Sequence, residues 1–184
     1  MTPIRSSQKH VVIDSDLERI DDLLAWMETC WSDVIPASKA QCPLLKAQAL
    51  TAIAELFTNA VRHAHRDLDP PPPIKLTWTS NKNSFSISIN DYGSPFAPEQ
   101  MFEHLRLITA RGGANPCERE HHWGLLMLLR LCDNHDWILT SKRSSTGINT
   151  VLLEHAWPSL PTHAETLRLQ SARRMQPTPA SPQT

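Results

Sequence analysis

"ELFTNAVRHAH", residues 55–65, sets how the rest of the chain is read. At about 100° per residue, a spacing of four returns a side chain to nearly the same helix face. Glu55, Asn59 and His63 stand at that spacing, and Leu50, Ile53, Phe57 and Val61 fall roughly opposite. One face of this helix therefore packs, while the other lines up a carboxylate, an amide and an imidazole. A solvated helix face has the same pattern. The flanking segments decide whether those groups meet water or a ligand.

Upstream, "KHVVIDSD" (9–16) reads as a short strand ending in a helix-starting Asp/Ser cluster. "LERIDDLLAWMETCWSDV" (17–34) carries Leu17, Ile20, Leu24, Met27 and Trp31 at helical intervals. The helix holding the opening stretch starts at Leu44 and stops before "RDLDPPPP", whose prolines enforce an extended spacer. Downstream, "IKLTWTS" (74–80) and "SFSISIND" (84–91) form a hairpin. In the second, Phe85, Ile87 and Ile89 alternate with serines, the mark of a half-buried strand. Residues 96–122 read as a short helix and then a polar loop with Gly112, Gly113 and Pro116. "WGLLMLLRLCDNHD" (123–136) is an apolar helix, and "WILTSKRSSTGINTVLLEH" (137–155) closes as a second hairpin. Helices grouped against a mainly antiparallel sheet predict an α+β fold, a two-layer α/β sandwich. The expected organisation is an N-terminal extension (1–8), one domain (9–155) and a mobile Pro-rich tail (156–184).

A chain of 184 residues, 40% hydrophobic, fits one domain with a real core. Its net charge of −1 offers no argument for nucleic acid or an anionic membrane surface. No apolar run is long enough to span a bilayer, and the opening residues lack the apolar segment of a signal peptide, so a cytoplasmic location is expected. Cys30, Cys42, Cys117 and Cys132 form no C-x-x-C pair and read as unpaired thiols. Cys117, His121, His122, Cys132 and His135 could supply zinc ligands, but their spacing matches no finger pattern.

Three features fall in a fixed order: the Glu/Asn/His helix, "DYG" (91–93) at a strand end, and "HHWGLLML" (121–128) where a loop enters a helix. Alone, an Asp-x-Gly is a turn and a Gly at a helix start is a cap. Together they suit a nucleotide. A helix N-terminus with Gly offers close backbone N–H groups to phosphates. An Asn oxygen suits Mg²⁺, which takes few protein ligands alongside phosphates and water. A carboxylate one turn away can take a proton from an attacking hydroxyl. An Asp beside a Gly can accept a hydrogen bond from an exocyclic amine.

The order E-x-x-x-N-A-x-x-H, D-x-G, G-L before a helix, then "TGINTVLL" (146–153) resembles the ATP-binding domain of gyrase, heat-shock chaperones, histidine kinases and mismatch-repair proteins. Its short, free-standing form looks like the bacterial anti-sigma factor serine kinases. The resemblance covers roughly residues 9–155. It implies the Bergerat-type ATP-binding fold, with ATP and Mg²⁺ as ligands. It also implies Glu55 as general base, Asn59 as Mg²⁺ ligand, Asp91 as the adenine-reading carboxylate and Gly93 as the glycine that lets adenine approach. Gly124 and Leu125 then contact phosphates, Thr150 lies near the adenine end, and residues 94–122 form a lid. Arg62 matches a basic residue that approaches phosphate in histidine kinases, and His63 falls inside the first box. Two positions depart from the family pattern, which has Gly where this chain has His122 and Asn149. A side chain at 122 either crowds the triphosphate or meets it.

The function so implied is an ATP-dependent serine/threonine kinase that phosphorylates a serine of a small anti-sigma factor antagonist and sequesters a sigma factor. Trp26 and Trp31 of the first helix would offer the partner surface, and the family often forms homodimers. One alternative is a protein-binding module of the same fold with weak or no ATPase activity. Another is the catalytic domain of a histidine kinase. Against it, "HAETLR" (163–168) follows the domain rather than preceding it.

Overall fold

The computed structural model describes residues 7–34, 43–81, 83–110 and 123–157. Strand β1 (Ser7–Ile13) is followed by a single 3-10 turn and helix α1 (Ile20–Val34). The turn is started by Asp16, whose carboxylate accepts from the Glu18 N–H at 3.0 Å. Helix α2 (Pro43–Asn59) runs directly into a π-helical turn (Ala60–Ala64). Next come β2 (Ile74–Ser80), β3 (Ser84–Asp91), α3 (Pro98–Ala110), α4 (Trp123–Asn134), β4 (Ile138–Arg143) and β5 (Asn149–Ala156).

The strands make one antiparallel sheet in the order β1-β2-β3-β5-β4. Side chains alternate across a strand, and the register carries the alternation from strand to strand. Leu76 pairs with Ile89, Ile89 with Val151, Trp78 with Ile87, and Ile87 with Leu153. All of these are buried, and α1 and α2 pack above them through Leu23, Met27, Ile53, Leu56 and Phe57. The opposite face carries Thr77, Thr79, Ser86, Ser88 and Asn90, which are half-buried. This is the α+β sandwich that the sequence predicts.

Several particulars differ from the sequence reading. Trp31 is no partner surface, being only 4% exposed. Its ring meets Trp78 and Phe85 edge-on at 6.0 and 5.6 Å. Phe85 in turn stacks on Trp78 at 5.0 Å and tilts against Trp157 at 4.6 Å. Aromatic rings hold this end of the core by large buried area and quadrupole-matched edges. Strand β1 starts at Ser7 because its pairing continues to Ser7 opposite Ser80, so two residues of the expected extension join the sheet. Of the expected lid, residues 94–110 are placed and include helix α3, while 111–122 lie outside the described residues, as does the tail beyond 157. Cys30 and Cys132 are free thiols, and burial pushes Cys30 up to about 11. Cys42 and Cys117 fall outside the described residues. No helix among the described residues is long and apolar enough to cross a membrane.

Candidate functional site

Helix α2 lays its apolar face on the sheet and so turns Glu55 and Asn59 toward the side where α3 and α4 close over it. Its last turn widens: the His65 N–H reaches back five residues to the Ala60 carbonyl at 2.9 Å. A cleft of about 300 Å³ opens beside that turn. Asn59, Ala60, His63 and Ala64 line one side, and Ile89, Asp91 and Val151 contribute from the sheet. Ser94, Pro95, Phe96 and Met101 line it beyond β3, and Gly124 and Leu125 come from the first turn of α4. The lining is thus mainly apolar with a few convergent polar groups, the usual make-up of a small-molecule site.

Glu55 joins the cleft through Gly124. A Cβ placed on Gly124 would lie 2.0 Å from Glu55 Oε2. The glycine therefore leaves the space that the carboxylate fills, at the start of α4 and one helical turn from Asn59.

Asp91 is 5% exposed and held from two sides. Its Oδ1 accepts from the Gly93 N–H at 2.9 Å and from Asn149 Nδ2 at 2.7 Å. Asn149, paired with Asp91 in register, also donates to the Ser94 carbonyl at 2.9 Å and the Gly93 carbonyl at 3.2 Å. Arg143 donates Nη1 to Asn149 Oδ1 at 2.7 Å and to the Gly93 carbonyl at 2.5 Å. Ser141 donates to the Phe96 carbonyl. Three side chains of the β4–β5 hairpin thereby strap down the segment that follows Asp91.

Below this segment sits His65, 3% exposed. Its Nε2 accepts from the Tyr92 N–H at 3.0 Å, so the ring proton is on Nδ1, facing Ser15 Oγ at 2.8 Å. Burial lowers its pKa from the ordinary 6.5, with the Asp91 carboxylate opposing.

Of the residues singled out in the sequence, Asn59, His63, Asp91, Gly124 and Leu125 line one cleft, with Glu55 against Gly124. Gly93 lies behind Asp91, where a Cβ would come within 2.5 Å of the Ala64 Cα. Its absence of side chain lets β3 close on the π turn. Arg62 is exposed and is not among the lining residues. Thr150 pairs with Asn90 and Lys142, and the alternation of β5 puts it on the face away from Val151 and the cleft. His122 lies outside the described residues. His65, Arg143 and Ser141 had no motif to announce them. Asn149 carried a signal in its even spacing with the apolar Val151 and Leu153, which places all three on the helix-facing side.

Among the described residues, no three His, Cys, Asp or Glu side chains cluster so as to hold a metal by themselves. Asn59 instead offers a single neutral oxygen, which fits an ion that reaches the cleft together with phosphate oxygens and water.

The family model of the histidine kinase-like ATPase domain matches residues 14–153, and the chain belongs to that family. Among solved structures it is similar to a chain of the SiaB-SiaC complex from Pseudomonas aeruginosa. The two share 13% identity over 80% of this chain and 89% of that one, with a TM-score of 0.42. No curated protein matches it.

Proposed function

We propose that this ATPase-family chain binds Mg·ATP in the cleft and acts as a regulatory serine/threonine kinase. In this reading it phosphorylates a serine of a small anti-sigma factor antagonist and sequesters a sigma factor. The observation that carries the reading is convergence. The carboxylate and amide oxygen of one helical motif and the buried carboxylate of a second meet around one apolar cleft, with the helix start of a third at its end.

The chemistry follows from the placement. The Asp91 carboxylate accepts from the exocyclic amine of the base, while Ile89 and Val151 cover its apolar faces. Backbone N–H groups at Gly124 and Leu125, at the positive end of the α4 dipole, suit the phosphates. Asn59 holds Mg²⁺, which when bound neutralises phosphate charge. The serine Oγ attacks the γ-phosphorus, the new O–P bond replaces the bond to the β-phosphate, and ADP leaves with the electron pair. Glu55 takes the hydroxyl proton.

The test is thermal unfolding with and without Mg·ATP, paired with phosphoryl transfer to a cognate antagonist. Wild type should be stabilised and active. Glu55→Gln keeps the shape and loses only the base, so it should stay stabilised and lose transfer. A wild-type protein indifferent to Mg·ATP would leave the fold acting by protein contact alone.

A further inference from the structure

Asn149 does more than fill a strand position. Its side chain is 2% exposed, stands beside Asp91 in the sheet, and belongs to a closed set of hydrogen bonds. The orientation of its amide is fixed by its surroundings. Asp91 Oδ1, the Gly93 carbonyl and the Ser94 carbonyl, all acceptors, lie 2.7, 3.2 and 2.9 Å from Nδ2. The Arg143 guanidinium, donor only, lies 2.7 Å from Oδ1. Turning the amide over would set its oxygen against three acceptors and its NH₂ against a cation.

Asp91 Oδ1 is thereby occupied twice, by Asn149 Nδ2 and by the Gly93 N–H. Asp91 lines the cleft, and among the described residues its second oxygen, Oδ2, takes part in no side-chain hydrogen bond, which leaves it as the acceptor for a ligand. A carboxylate held in this way accepts from a base bearing an amino group and repels one bearing a carbonyl oxygen at the same place. We infer that Asn149, itself braced by Arg143, is a positioning residue that sets base selectivity by fixing the Asp91 carboxylate. The selected ligand class is a nucleotide of a 6-amino purine, against a 6-oxo purine. This rests on the nucleotide-binding reading above, and goes beyond it in assigning selectivity to two residues on the far hairpin.

The experiment measures Kd for Mg·ATP and Mg·ITP by calorimetry in wild type, Asn149→Ala and Arg143→Ala, with circular dichroism as the check on folding. ITP differs from ATP at the base position that Asp91 reads. Wild type should prefer ATP strongly. Asn149→Ala should weaken ATP on the order of tenfold, as for loss of an ordinary hydrogen-bonded support. It should leave ITP nearly unchanged, so that the ATP:ITP ratio falls. Arg143 is exposed, so Arg143→Ala folds even if the buried change does not. It frees the amide to turn and should lower the same ratio by a smaller factor. A purely structural role would weaken both nucleotides alike and keep the ratio. An unchanged ratio in the folded variants overturns the proposal while leaving ATP binding intact. So does wild-type protein that binds ATP and ITP equally. Wild type that binds neither nucleotide overturns the nucleotide reading and this inference with it.

Discussion

A methyl group added at Gly124 would lie 2.0 Å from Glu55 Oε2, and one added at Gly93 would lie 2.5 Å from both Cα and Cβ of Ala64. The two clashes differ in what can give way. The Glu55 carboxylate ends a flexible side chain, so Gly124→Ala should fold and push the carboxylate aside. Phosphoryl transfer should then fall on the order of a hundredfold, the usual reach of a general base, with a far smaller loss in ATP affinity. Single-turnover rates beside a binding titration check this, and an undiminished rate would remove the contact from the chemistry. At Gly93 the neighbour is backbone and cannot move alone. Gly93→Ala should cost about 1–3 kcal/mol, as overpacking does, read as a lower urea midpoint at unchanged slope. The D-x-G spelling shows in the sequence, yet it does not reveal that Ala64 is what the glycine must clear. That contact joins residues far apart in the chain, and no local pattern encodes it.

The strands were the most legible elements, because Phe85, Ile87 and Ile89 repeat with the period of the pleat and their partners in β2 and β5 repeat in step. Helix α2 was legible up to Asn59 and not beyond. Its final turn closes over five residues rather than four, which rotates every side chain after Ala60 away from its ideal-helix direction. Counted at 3.6 residues per turn, His63 is the histidine that comes into line with Glu55 and Asn59. In the wider turn His63 stays exposed at the cleft and His65 is the one that is buried. His65 must be neutral there, since Nε2 accepts from Tyr92, and protonation would set an N–H against an N–H. Its folded pKa lies below 6.5 through burial, against the pull of Asp91. Below 6.5 the unfolded chain therefore binds more protons at this residue. Its contribution to stability is complete above that pH and is lost as pH falls through 6.5 toward the folded value. Unfolding free energy measured across pH 5 to 8 (roughly the span in which histidines titrate) should drop on the acid side. His65→Ala should lower stability by about 0.5–1.5 kcal/mol at neutral pH, by removing the acceptor of the half-buried Tyr92 N–H, and should flatten part of that acid slope. An acid slope identical to wild type would exclude His65 as its source.

Across the whole molecule, the core and the cleft draw on different parts. Trp31, Trp78, Phe85 and Trp157 pack at the end of the sheet where β3 begins. The cleft gathers at the other end of β3, from α2, the π turn, Met101 and the start of α4. Arg106 of α3 and Asp133 of α4 join the two helices that flank residues 111–122, through hydrogen bonds of 3.2 and 2.5 Å. The unfolded chain cannot bring these contributors together, so a ligand spanning them binds only the folded state. At a hundred times Kd it adds about 2.7 kcal/mol, which for a domain of this size raises Tm by about 5–10 °C. Far-UV circular dichroism reports this unfolding without the direct quenching that a ligand could cause at Trp123, which is exposed beside Gly124 at the cleft. The shift should need the divalent ion: EDTA should remove most of it, and Asn59→Ala should remove it with or without chelator. Asn59 is half-exposed and no hydrogen bond holds its side chain among the described residues, so the variant's ligand-free Tm should stay close to wild type, as for most surface changes. Equal ATP-induced shifts in wild type and Asn59→Ala at the same Mg²⁺ concentration would take the metal away from this residue. The phosphates would then have to meet their cation elsewhere in the cleft.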